Sequence, residues 1–195
     1  ASTTDPQQRL LLETAFCAFN DARLSREALS GSETGVLLAI SNADWSSLQF
    51  VATGRTLSGS GSEAGASSVY AATGGAISVA AGRLSFVLGL HGPCESVDTA
   101  CSSSAVAVHL AALHLRGSDC LHALAATASL VLAPHVSITY ARAGMLSIDG
   151  RCKTFDVRAN GYVRGEGVGG VVIGWHEGGG CEAGCTSDAF GRLCG

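Results

Sequence analysis

The sequence predicts an α/β fold, and three observations carry that reading. Two short apolar runs, residues 35–41 and 124–132, are bounded by turn residues and read as buried strands. Segments of helical period and small residues, around 10–19, 70–84 and 105–115, alternate with them. Residues 97–104, Val-Asp-Thr-Ala-Cys-Ser-Ser-Ser, read as strand, tight corner and helix start, with Cys101 in the helix's first turn.

Composition bounds the rest. The 195 residues fit one domain of ordinary size or part of a larger one. Hydrophobic residues make up 47% and charged residues only 14%, with a mean hydropathy of +0.31, so much surface is expected to be buried. A net charge of −4 without a basic stripe disfavours nucleic-acid binding. No apolar stretch approaches the roughly 20 residues that span a bilayer. The eight cysteines show no regular pairing and read as reduced thiols of an intracellular, cytoplasmic protein.

Residues 1–29 read as a helix that Asp5 caps and Pro6 opens, with loop chemistry closing it at 24–27 and 30–31. The strand at 35–41 follows. A short helix around Trp45 and a flexible loop at Ser58–Ser62 come next; that loop lacks the Lys-Ser/Thr of a phosphate cradle. Residues 70–84 read as a small-residue helix that Gly74 and Gly75 weaken or start. Gly92-Pro93 turns the chain into the corner before Cys101. Residues 105–115 carry no polar side chain except His109 and His114, the pattern of a helix buried all round, and Arg116-Gly117-Ser118 stops it. Residues 135–142 read as loop and short helix. Gly165–Gly170 fits G-x-G-x-x-G but leads into the β-branched Val171-Val172-Ile173, a strand, so it reads as a glycine corner and not as a nucleotide site.

Cys101 draws attention on chemical grounds. Unpaired N–H groups and the positive end of the helix dipole favour an anion at a helix start, and a thiolate is the nucleophilic form of cysteine. The Cys101 amide is also a candidate oxyanion donor. Local physics leaves two readings open, a small core cysteine or a nucleophile reached through a cleft. His176, Cys181, Cys185 and Cys194 lack the spacing of zinc knuckles. Residues 176–195 read as an unassigned Gly/Cys-rich tail without the apolar content to pack a strand.

Four ordered stretches resemble one family. They are Asp5–Glu13, Ser78–Pro93, Asp98–Ser104 with the Ala-Val-Ala-Val-His-Leu-Ala that follows, and Asp149–Asp156 continuing through Gly161–Gly167. Together they are similar to the β-ketoacyl synthases, most of all the ketosynthase domains of type I modular polyketide synthases. The resemblance runs over residues 5–175 and covers only the family's N-terminal half. It implies a thiolase-like fold of α/β/α/β/α layers, of which this chain carries an incomplete first half, residues 1–175. Relatives usually hold two glycines where Ala125 and Ala126 stand, so extra methyl groups are expected to crowd a tight spot.

The resemblance also implies the chemistry. Cys101 would accept an acyl group from a thioester carried on the phosphopantetheine of acyl carrier protein. A malonyl-type extender then loses carbon dioxide and attacks the acyl-Cys. No cofactor or metal is bound directly. The family's two catalytic histidines lie in His-Gly-Thr-Gly-Thr-type and Asn-x-Gly-His-type segments that do not occur among these residues. His109 lies eight residues from Cys101, about 12 Å along one helix, and His114 farther; neither stands in for them. His91 and His176 match no family motif. Cys101 is therefore the one catalytic residue carried over. Arg151, Lys153, Asp156, Arg164 and Glu166 match family positions and read as ion pairs and loop anchors, with Glu166 as general base a minor alternative. The family's dimer pairs the strand before the nucleophile with its twin, which places residues 96–99 at a homodimer edge. Without a second half, one apolar side of the nucleophile helix is expected to lie uncovered and to promote association. Two other functions stay open: a truncated, non-catalytic remnant acting at most as a pairing subunit, and a cysteine hydrolase, for which no motif speaks.

Overall fold

The computed structural model describes residues 4–41, 44, 45, 47, 48, 70–176 and 180–186. The glycine-serine stretch 58–62 and Cys194 lie outside them. One five-stranded sheet organises the molecule, with strand order β2-β1-β3-β4-β5. Here β1 is Thr34–Ile40, β2 Cys94–Val97, β3 His122–Ser129, β4 Gly167–His176 and β5 Gly180–Thr186. β2 and β3 run parallel to β1, while β4 and β5 complete the sheet antiparallel.

Helices cover both faces. α1 (Pro6–Asp21), α2 (Arg26–Leu29), α3 (Tyr70–Gly75), α4 (Ala80–Leu88), α5 (Ser103–Arg116) and α6 (Pro134–Arg142) follow in chain order. The pleat of β1 sorts the core. Val36, Leu38 and Ile40 join Leu11, Ala15, Ala18 and Phe19 of α1 and Ala80, Ala81 and Leu84 of α4. Leu37 and Ala39 point the other way, to Ala107, Ala111 and Leu115 of α5. Every residue of β1 is buried, as a parallel strand covered on both faces requires. The result is three layers, α/β/α, with α5 the one helix on its face of the core among the described residues.

The helix expected over residues 1–29 ends at Asp21. The Asp5 carboxylate accepts the Gln7 N–H at 2.8 Å and caps α1, and Pro6 opens it. Arg23 then turns left-handed (φ 59°) and the Leu24 N–H closes on the Phe19 carbonyl, the geometry usually given to glycine. The helix expected over 70–84 breaks at Ala76 into α3, a 3₁₀ turn at Ile77–Val79 and α4. Residues 44, 45, 47 and 48 have helical backbone.

Two further expectations change. α5 is buried along Ser103, Ala107, Ala111 and Leu115, one residue per turn, and not all round. Its opposite face leaves Val108 and Leu113 exposed, because no described element packs over it. The tail pattern predicts no strand, yet residues 180–186 pair with β4 from Gly170↔Thr186 to His176↔Gly180. An antiparallel ladder is built from backbone N–H and C=O groups, so an edge strand forms without an apolar pattern.

Ala125 and Ala126 are both buried, and no crowding results. Ala126 faces Gly170 across the β3–β4 ladder. A Cβ on Gly170 would lie 3.2 Å from the Ala126 methyl and 3.3 Å from Thr14 Cγ2. The missing methyl on β4 makes the room that the added one on β3 takes up.

Candidate active site

β2, an outer strand of the sheet, delivers the chain at Asp98 to the start of α5. Gly92 sets that approach: a Cβ there would meet the Thr34 carbonyl carbon at 2.5 Å, so only glycine lets β2 close on β1. The corner itself turns on Ala100, an alanine in the left-handed region (φ 55°). The Asp98 carboxylate accepts the Ala100 N–H at 3.0 Å. The Ser103 hydroxyl, buried in the first turn of α5, accepts the Thr99 N–H at 2.8 Å and donates to the Ala100 carbonyl at 2.7 Å. Ser102 Oγ donates to the Thr99 carbonyl at 2.9 Å. A 3₁₀ turn, Ala100–Ser102, then runs directly into α5.

Cys101 sits in this turn as a free, exposed thiol. The expectation of a nucleophile enclosed on a buried helix is corrected accordingly: among the described residues nothing closes over it. The position does supply the helix-start environment. The Ser103 N–H meets the Ala100 carbonyl of the 3₁₀ turn, and fourteen residues of aligned peptide dipoles point their positive end at that turn.

The histidines lie elsewhere. His109 is exposed on α5. His114, near the C-terminal end of α5, bridges two carboxylates: Nδ1 to Asp119 at 2.8 Å and Nε2 to Glu95 of β2 at 2.7 Å. Hydrogen bonds to Asp119 and then Glu95 raise its pKa above the ordinary histidine value. It is a structural latch between α5 and β2. His91 is exposed, and His135 lies 4.0 Å from the buried Asp44, which accepts the Leu132 and Ala133 N–H groups. The His176, Cys181 and Cys185 side chains are not described; among the described residues no cluster of three or more His, Cys, Asp or Glu is placed to hold a metal.

The charged residues of the later motifs act as loop anchors. Asp149 takes hydrogen bonds from Lys153, Ser147 and Asn160, which hold its carboxyl well below the usual range. Asp156 grips the Arg158 side chain at 2.7 Å. Arg164 donates to Ser137 Oγ and lies 5.6 Å from the centroid of the Tyr140 ring. Glu166 Oε1 accepts the Val131 N–H at 2.7 Å, tying β4's lead-in to the end of β3. Arg151 is exposed. Sequence reasoning singles out Cys101 in this region but not Asp98 and Ser103, whose carboxylate and hydroxyl shape the corner. An Asp two residues before the turn residue, with Ser three residues beyond it, is the local signal for such contacts.

The fold agrees with what known proteins show. The family model described as the β-ketoacyl synthase N-terminal domain matches residues 1–177, and the chain belongs to that family. Among curated relatives, a phenolphthiocerol/phthiocerol polyketide synthase of Mycobacterium tuberculosis is 44% identical over 173 residues, which are 89% of this chain and 8% of that protein. Polyketide synthase GfsB of Streptomyces halstedii is 46% identical over the same share of this chain and 3% of its own length. Among solved structures, the ketosynthase from module 6 of the bacillaene synthase of Bacillus subtilis superposes with a TM-score of 0.74 at 35% identity. The match covers 88% of this chain and 27% of that one. The α/β/α layers described above therefore make up the N-terminal part of a ketosynthase, thiolase-like fold, and the chain spans only a small part of the relatives it matches. No described helix is long and apolar enough to cross a membrane.

Proposed function

We propose that Cys101 is the acyl-accepting nucleophile of a ketosynthase that performs decarboxylative Claisen condensation. The observation that supports this most is the placement of an exposed thiol on a left-handed corner at the start of a fourteen-residue helix. The thiolate attacks the carbonyl of an acyl thioester on acyl carrier protein. A tetrahedral oxyanion forms at the positive end of the α5 dipole, and the carrier thiolate departs, leaving the acyl group on Cys101. A malonyl-type thioester then loses carbon dioxide, and its carbanion displaces Cys101 to give a β-ketoacyl thioester. The resemblance places the histidines for that second step in the family's other half. The ketosynthase segment is residues 1–175, working in a cytoplasmic protein whose edge strand β2 pairs with a second copy.

The test is a condensation assay on a protein carrying this segment, with an acyl thioester and malonyl-loaded acyl carrier protein. Wild type is expected to release the extended β-ketoacyl thioester, and Cys101→Ala to lose both product and acyl-enzyme. Product formation by Cys101→Ala would overturn the proposal.

A further inference from the structure

We infer that Ser103 is a positioning residue for Cys101, acting by holding Ala100 in the left-handed conformation that aims the thiol. The inference rests on the reading of Cys101 as the nucleophile. Alanine meets a steric penalty at φ 55° that glycine does not, so something must hold Ala100 there. One hydroxyl ties the peptide group after Ala100 to the peptide group before Thr99. Ser103 Oγ accepts the Thr99 N–H at 2.8 Å and donates its proton to the Ala100 carbonyl at 2.7 Å. Thr99 enters the corner and the Ala100 carbonyl leaves it toward Cys101, so a single hydroxyl brackets Thr99 together with the strained Ala100. Ser103 is 5% exposed, which keeps water from replacing either bond. The Asp98 carboxylate supports the same corner through the Ala100 N–H. Ser102 Oγ donates to the Thr99 carbonyl in the peptide directly before Ala100, and Ser103 alone reaches the peptide after it.

Without the hydroxyl, Ala100 relaxes toward negative φ and the Cα–Cβ vector of Cys101 swings with it, away from the helix axis. Two readouts separate this from a general loss of structure. The first is the rate at which iodoacetamide alkylates Cys101, followed by mass mapping of its peptide against those of Cys94 and Cys152, the other exposed thiols among the described residues. The second is hydrogen exchange of the Thr99 amide, measured by NMR on the whole chain.

Ser103→Ala is expected to slow Cys101 alkylation about tenfold, the size of a left-handed alanine penalty expressed as a rate, and to release the Thr99 amide to exchange. Ser103→Thr keeps the hydroxyl and is expected to recover both. Ala100→Gly added to Ser103→Ala is expected to recover alkylation without protecting Thr99, because glycine adopts the corner unaided. Wild-type alkylation in Ser103→Ala would overturn the inference, and so would failure of Ala100→Gly to recover it. If Ser103→Ala does not fold, the double variant decides: folding with rapid alkylation supports the clamp, and a chain that stays unfolded refutes it. A wild-type Cys101 no more reactive than Cys94 and Cys152 would overturn the nucleophile reading and the positioning role together. The clamp geometry is judged separately, since Thr99 exchange responds to Ser103 whatever the thiol does.

Discussion

Gly170→Ala puts one methyl into the seam between β3, β4 and α1. The new Cβ would stand 3.2 Å from the Ala126 methyl, 3.3 Å from Thr14 Cγ2 and 3.6 Å from Leu124 Cδ1. The first two contacts are tighter than relaxed packing, and Ala126 yields only if the β3 backbone moves. Overpacking of this kind costs about 1–3 kcal/mol. Against it stand about 0.8 kcal/mol for burying a methyl and about 0.4–1 kcal/mol for the smaller freedom of alanine in the unfolded chain. The net expectation is a loss of about 0.5 kcal/mol, worth about 1–2 °C in Tm for a chain of this size. Urea unfolding of Gly170→Ala, Ala126→Gly and the double variant measures it. Removing the Ala126 methyl takes away the 3.2 Å contact, so Gly170→Ala is expected to be neutral or stabilising in that background. An equal effect of Gly170→Ala in both backgrounds would refute the idea that the glycine on β4 makes room for the alanine on β3.

Three further outcomes follow from the same contacts. Burial raises the pKa of Asp5, so its ionised form works against the fold as pH rises through the carboxylate range. Asp5→Asn keeps the cap and is expected to match or exceed wild-type stability at pH 7, while Asp5→Ala loses about 1 kcal/mol of cap energy by thermal melts. The raised His114 pKa means its two carboxylate bonds stabilise fully below pH 6.5 and fade as pH rises through the folded value. His114→Gln is therefore expected to lower the urea midpoint at pH 6 and to change it little at pH 9, by about 1 kcal/mol at most because both carboxylates are largely solvated. Glu166→Gln retains the acceptor for the Val131 N–H and is expected to leave Cys101 acylation unchanged, whereas a lost general base would slow it about a hundredfold or more.

Several elements are legible because their signals are local. Asp5-Pro6 marks a helix start through one side-chain bond and one fixed φ, and β1 is an unbroken apolar run of strand length. The strand–corner–helix around Cys101 is legible from Gly92-Pro93 and the helix formers after it. The rest depends on partners far away in sequence or on backbone angles that residue type does not announce. Ala100 adopts φ 55° although alanine carries no preference for it, and Arg23 does the same at the end of α1. β5 lacks an apolar pattern because its ladder to β4 is made by the backbone. The Glu95–His114–Asp119 bridge joins residues 19 and 5 positions apart, so His114 reads only as a satisfied histidine. The all-round apolarity of α5 suggests complete burial, but burial depends on a neighbour for each face, and the described residues supply one.

The central claim is that Cys101 is the nucleophile, and its most direct test is acyl transfer in a single turnover. The chain is mixed with an acyl-pantetheine thioester, quenched and mapped by peptide mass. The account predicts the acyl mass on the Cys101 peptide ahead of Cys94 and Cys152, and its disappearance in Cys101→Ser. Acyl groups spread equally over Cys94, Cys101 and Cys152, or absent from Cys101, would contradict it.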